Sequence, residues 1–225
     1  MNNNEVKASV MDIELILKIR RVIYLFIKRL FDFAISIIGI VLILPIAIIV
    51  KICYILTGDF HSIFYYQNRV GKDGVVFRMY KFRTMIPDAE EELKKLLKNP
   101  KYKKEWEANQ KLDDDPRITK IGKILRKTSL DEMPQFFNMF LGQISLIGPR
   151  PLVPGELDSH NGDHAIYESV KPGITGWWAA NGRSATSYKK RLDLEYYYVK
   201  HQGFKLDILC IFRTIKVVFT RAGAK

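Results

Sequence analysis

Apolar positions along the chain are gathered rather than spread. From Leu30 to Leu56 the sequence reads LFDFAISIIGIVLILPIAIIVKICYIL, broken only by Asp32, Ser36 and Lys51. A straight helix of this length would measure roughly 40 Å, more than the roughly 30 Å hydrocarbon core of a bilayer requires. Pro45 falls near its middle, and an interior proline removes one backbone hydrogen bond and clashes with the preceding turn. The pattern predicts two arms, each too short to span, that enter and leave on one side; an ordinary kinked transmembrane helix is the alternative. Flanking charge favours the hairpin. Arg20, Arg21, Lys28 and Arg29 precede the run, and Lys51, Arg69 and Lys72 lie at its end or after it, so neither flank is charge-poor. The long charged leader and the lack of a small-residue cleavage site disfavour a signal peptide. Arg29 and Asp32, spaced i and i+3, face each other on a helix and could neutralise one another at the interface.

Beyond the run the pattern shortens. Ile63 to Arg83 reads as two strands joined through Asp73-Gly74, a dipeptide suited to positive φ. Lys81 and Arg83, two apart on the second strand, share a face and could aim two cations at one spot. Pro87 to Lys98 has acidic residues in its first turn and lysines in its last, the signature of a surface helix. Ile118 to Lys127 repeats a helical spacing of apolar residues. Lys205 to Arg221 alternates apolar clusters with basic residues, which suits either an anionic membrane surface or packing on the domain's own core. His160 and His164 have the spacing of a helical metal pair, but Asn161-Gly162 between them is a turn signal, so no zinc site is expected.

At 225 residues the chain is long enough for one compact catalytic domain. Lys and Arg outnumber Asp and Glu by 36 to 24, for a net charge of +12, which implies an anionic partner. No nucleic-acid motif is present and the basic residues are dispersed, so nucleic acid is not expected. Cys53 and Cys210 sit in apolar runs without metal-ligand spacing, consistent with reduced thiols on a cytosolic face. The candidate chemistry lies in TSLDEMPQFFN, Thr128 to Asn138. Ser129-Leu130-Asp131-Glu132 fits a capping box, with Ser129 at the N-cap and Glu132 three residues on. Pro134 sits poorly in a helix begun at Ser129 and better in one begun near Asp131. Structural and chemical roles for the two carboxylates therefore both stay open on spacing alone. Arg126 lies just upstream. Downstream, Arg150 is bracketed by Pro149 and Pro151, which stiffen its backbone, so its guanidinium suits either bidentate phosphate recognition or an internal salt bridge.

The segments KRLFD (28 to 32), QNRVGKDGVVFRMYKFRTM (67 to 85), DPRITKIGKILRKTSLDEMPQFFNMFLGQISLIGPRP (115 to 151) and KPGITGWWAANGR (171 to 183) together resemble the bacterial sugar transferase family, the monotopic polyprenol-phosphate phosphoglycosyl transferases. The resemblance implies an α/β, mostly helical, membrane-associated domain. A re-entrant helix-break-helix (25 to 57, with Lys28, Arg29, Asp32 and Pro45) would carry a cytosolic catalytic part (58 to 225) with a β-hairpin and interfacial amphipathic helices. Residues 1 to 24 would be a leader to a compact catalytic form. It implies transfer of a sugar 1-phosphate from a UDP-sugar to polyprenol phosphate with release of UMP, at the cytoplasmic face of the bacterial inner membrane. Asp131 would be the nucleophile and Glu132 its partner, with Mg²⁺ at Asp131 and the diphosphate. Lys81, Arg83, Arg126, Pro149, Arg150 and Pro151 would form the substrate-binding set, and a homodimer is left open. In many relatives a serine precedes the break proline; here Leu44 does. A glycosyltransferase releasing UDP, or a non-catalytic membrane module for polysaccharide assembly, is the competing reading.

Overall fold

A computed structural model of the protein describes residues 3–109, 111–182 and 186–220. Met1 and Asn2 of the leader, Arg183 and Arg221 lie outside them. Most of the described chain is helical, with two small two-stranded sheets. Helix α1, Asn3–Leu56, takes in both the leader and the apolar run. The helix continues through Pro45, where two separate arms were expected. A proline costs one rung, here the one to Val41, while the turns on either side keep theirs. The stretch Asp12–Leu56 is long and apolar enough to cross a membrane, and only 22% of its most apolar window is buried, unlike the core helix of a soluble protein. After it come β1 (Phe64–Val70), β2 (Val76–Phe82), α2 (Ala89–Leu96), α3 (Pro100–Asn109), α4 (Lys120–Thr128), α5 (Gln135–Phe140), β3 (Ser145–Ile147), α6 (His164–Tyr167), β4 (Gly173–Thr175), α7 (Trp177–Ala180), α8 (Tyr188–His201) and α9 (Phe204–Thr220). The β1–β2 hairpin turns at Asp73 and Gly74, both at positive φ (57° and 74°).

The chain forms two compact units that alternate along the sequence. The first comprises Met1–Ile37, Asn68–Arg78 and Asn138–Lys225; the second comprises Ile38–Gln67 and Met79–Phe137. In the first, β3 and β4 pair in parallel with Ser145 opposite Gly173 and Ile147 opposite Thr175. Ile147, Tyr198 and Cys210 form a core there with Leu146, Trp177, Leu206 and Ile211. Charges that flank the apolar run take internal partners in this unit. Lys28 bonds to Asp207 on α9 at 2.6 Å, and Asp207 also accepts from Tyr24 and Tyr198. Arg69 is buried and donates to the Pro151 carbonyl. Arg29 and Asp32 form no salt bridge with each other, contrary to the i, i+3 expectation. Arg29 instead donates to the carbonyls of Met139 and Phe140 at the end of α5, and Asp32 accepts from the Leu146 N–H at 2.8 Å. Open backbone groups at a helix end and beside a short strand are better partners than a charge already reachable by water.

In the second unit the inner face of α1 supplies Ile43, Val50 and Tyr54 to a core with Ile63, Phe82 and Leu125. Gly39 meets the ring of Phe136, where a Cβ would overlap it. Past the end of β2, residues 84 to 86 run beside 117 to 119. Thr119 N–H donates to the Thr84 carbonyl, Ile86 N–H to the Arg117 carbonyl, and Met85 bridges Ile118. The Thr119 side chain then caps α4 by accepting from Gly122 N–H at 2.9 Å. Gly122 lies so close to the Thr84 backbone that a Cβ there would fall inside the carbonyl group. Because the obstacle is backbone on both sides, Gly122→Ala should lower unfolding stability by about 2 kcal/mol or more, read by denaturant or thermal unfolding in detergent.

Candidate active site

Local geometry answers the capping question raised by TSLDE. Ser129 adopts a left-handed conformation (φ 57°), and its N–H donates back to the Arg126 carbonyl, so it closes α4 instead of opening a new helix. Its side chain makes no capping bond, and Leu130–Glu132 form a single 3-10 turn. Pro134 follows that turn, buried, and α5 starts at Gln135. The capping box is therefore not formed. Asp131 and Glu132 stand on a tight turn between two helices, the place where a side chain can be presented without belonging to a helix face.

Around this turn the second unit gathers cations. Lys81 on β2 bonds to Glu132 Oε1 at 2.9 Å. Arg126, in the last turn of α4, donates from Nε to the Thr84 hydroxyl at 3.0 Å, which fixes the plane of an otherwise exposed guanidinium. Asp131 is half-buried and takes part in no salt bridge among the described residues. Burial and the neighbouring Glu132 charge push its carboxyl above the usual carboxylate range, against the pull of Lys81 and Arg126.

Arg83 has a different place from the one its spacing suggests. Instead of joining Lys81 at one spot, it donates to Asp59 at 2.8 Å and to the carbonyls of Ser62 and Met85, and lies over the Tyr54 ring. The strand ends at Phe82, so the two-residue repeat no longer governs where Arg83 points. Burial would raise Asp59, but the bonds from Arg83 and His61 outweigh it and hold its carboxyl below the usual range. Asp59 and Thr84 are the partners that sequence reasoning missed. Asp59 follows Gly58 in a turn after α1, a composition indistinguishable from an ordinary loop.

Pro149, Arg150 and Pro151 belong to the first unit. Both prolines are buried, while Arg150 is exposed. The loop is pinned by Gly173 N–H donating to the Pro149 carbonyl and by Arg69 on that of Pro151. Of the two readings open for Arg150, the internal salt bridge is absent among the described residues; its guanidinium lies over the Trp178 ring, 5.9 Å from the centroid. His164, by contrast, sits between Asp158 and Glu168 at 2.7 Å each. No cluster of three or more metal-binding side chains occurs among the described residues.

A mostly helical fold with one long apolar helix is compatible with membrane association, and its paired carboxylates stand among cations. The bacterial sugar transferase family profile matches residues 23–221, and the chain belongs to that family. The undecaprenyl-phosphate galactose phosphotransferase of Salmonella typhimurium is 44% identical over 200 residues, covering 88% of this chain and 42% of that protein. The exopolysaccharide production protein ExoY of Sinorhizobium fredii is 37% identical over 198 residues, 88% of this chain and 87% of its own length. The UDP-N-acetylgalactosamine-undecaprenyl-phosphate N-acetylgalactosaminephosphotransferase of Aeromonas hydrophila is 35% identical over 209 residues, 90% of this chain and 46% of that one. The chain thus spans less than half the length of the Salmonella and Aeromonas relatives.

Two outcomes follow from the geometry. Lys81→Met removes a cation that favours the ionised form, so the Asp131 carboxyl should titrate at higher pH, whereas Glu132→Gln should move it lower; carboxyl ¹³C shifts across a pH series measure both. Arg83→Lys leaves one ammonium where a guanidinium served three oxygens, and should cost about 2 kcal/mol of stability by chemical unfolding.

Proposed function

We propose that the protein is a phosphoglycosyl transferase that moves a sugar 1-phosphate from a UDP-sugar to polyprenol phosphate and releases UMP. The observation that carries this reading is Asp131: half-buried, outside any salt bridge among the described residues, beside a Glu132 tethered by Lys81, and on a turn rather than in an α-helix. Family membership supports it, as do the Salmonella and Aeromonas relatives, both named as undecaprenyl-phosphate sugar phosphotransferases. Their different sugars, galactose and N-acetylgalactosamine, leave the sugar open.

In the first step an Asp131 oxygen attacks the phosphorus that bears the sugar. The bond from that phosphorus to UMP breaks, UMP leaves with the electron pair, and the sugar phosphate remains on Asp131 as an acyl phosphate. In the second, an oxygen of polyprenol phosphate attacks the same phosphorus; the bond to Asp131 breaks and the carboxylate is regenerated. One phosphoanhydride is exchanged for another, so no further energy source enters. Arg126, held by Thr84, contacts donor phosphate and stabilises charge on the transferring oxygens; in the first unit, Arg150 on its proline-stiffened loop is assigned to phosphate recognition. Lys81 keeps Glu132 in place, and Arg83 supports the site from behind through Asp59. The Asp131–Glu132 pair suits magnesium, which takes one or two carboxylates together with substrate phosphates and, bound by Asp131 and the diphosphate, would neutralise charge there.

We assign α1 to the cytoplasmic leaflet as a re-entrant element bent at Pro45. Support comes from the lost rung at Pro45 and from the core-facing residues on the distal arm, Val50 and Tyr54, which keep that arm with the catalytic part. The lipid phosphate then reaches the site from the membrane plane.

The test is nucleotide release by the purified protein with Mg²⁺, polyprenol phosphate and a panel of UDP-sugars, in an assay that separates UMP from UDP. UMP from at least one donor is expected, with Asp131→Asn lowering the rate by about 10³-fold or more. Release of UDP would instead establish simple glycosyl transfer.

A further inference from the structure

Arg150 has its backbone N–H and its carbonyl each held by a buried side chain, on two different helices. Its N–H donates to Glu195 Oε1 on α8 at 3.0 Å, and its carbonyl accepts from the Tyr167 hydroxyl at the end of α6 at 2.9 Å. Glu195 is 1% exposed and Tyr167 6%. Trp178 completes the setting: Arg150 lies on its ring, and so does Arg191, 4.8 Å from the centroid.

A carboxyl so deeply buried is costly, and stability alone would favour an apolar residue at this helix position. Glu195 forms no salt bridge, and its second oxygen has no hydrogen-bond partner among the described residues. The bond it does make is the one to Arg150 N–H. Burial pushes its carboxyl up to about 7, opposed by the Arg150 N–H bond and by the Arg191 and Arg150 charges. Tyr167 on α6 and Cys210 on α9, also within its electrostatic reach, are both held in their neutral forms by burial.

We infer that Glu195 is a positioning residue: with Tyr167 it fixes the backbone from which the Arg150 guanidinium reaches a phosphate of the nucleotide donor, without itself touching the ligand. The inference rests on the donor reading above and adds to it a residue that the motif-based site does not include. No pattern in LDLEYYYV marks Glu195 as different from an exposed helix glutamate; only its partner does.

The experiment is UDP affinity of the full chain in lipid nanodiscs with Mg²⁺, by calorimetry, across a double-mutant cycle. Glu195→Ala should weaken UDP binding about tenfold, and Glu195→Gln, whose amide oxygen accepts the same N–H, should restore it to within about threefold. In an Arg150→Ala background, Glu195→Ala should change nothing, because no guanidinium remains to be positioned. Additive losses in the two backgrounds, or failure of Gln to rescue, would overturn the positioning role in favour of general core support. Should Glu195→Ala not fold, Tyr167→Phe takes its place, with a loss expected only where Arg150 is present. If wild type binds no UDP, the donor reading falls and this one with it; if wild type binds and only Arg150→Ala weakens binding, this one alone falls.

Discussion

The approach of Gly122 to the Thr84 carbonyl is the constraint on which the second unit depends. Only a residue without a Cβ lets α4 settle against the segment leaving β2. That contact lets the Thr84 carbonyl accept from Thr119 N–H and its hydroxyl accept from Arg126. It also anchors the start of α4, the helix that Ser129 closes just before the turn bearing Asp131 and Glu132. A single atom withheld from the sequence at position 122 thus keeps α4 beside the residue whose hydroxyl holds the Arg126 guanidinium.

The chain's strongly basic balance has a different meaning in three dimensions from its meaning as a total. Lys28, Lys81, Arg83, Arg117 and Arg191 each meet a carboxylate within the fold. Such pairs gain specificity of placement more than stability, since much of their Coulomb energy is offset by desolvation. Arg126 and Arg150 are treated differently: among the described residues neither guanidinium is in a salt bridge, and each is steadied by a neutral group, a hydroxyl for Arg126 and an aromatic face for Arg150.

Features governed by local chemistry could be read from the sequence. Asp73-Gly74 gave away its turn because few residues tolerate positive φ, and the helical character of Leu30 to Leu56 followed from its apolar run, although the helix continues through Pro45 where a break was expected. Ser129 misled for the same reason in reverse: serine rarely takes a left-handed conformation, so its capping pattern pointed the wrong way along the chain. Partnerships across long separations left no trace. Lys28 and Asp207 are 179 residues apart, and Arg83 and Asp59 are 24 apart, with nothing in either neighbourhood to join them. Strands β3 and β4, three residues each, are too short to show alternation, and their parallel pairing is decided by the chain between them. The family motifs located the reactive turn and the proline-bracketed loop, but not the side chains that hold them.

Helix α1 has two faces with separate obligations. Ile43, Val50 and Tyr54 are locked into the core beside Phe82 and Leu125, while Val41, Leu44, Ile48 and Ile49 look outward. The outward set has only to be apolar, and can drift freely among aliphatic residues. The inward set must match a particular interior. The helix therefore cannot be traded between relatives as a generic tether: a graft would succeed only if the inward residues travelled with the interior they fill.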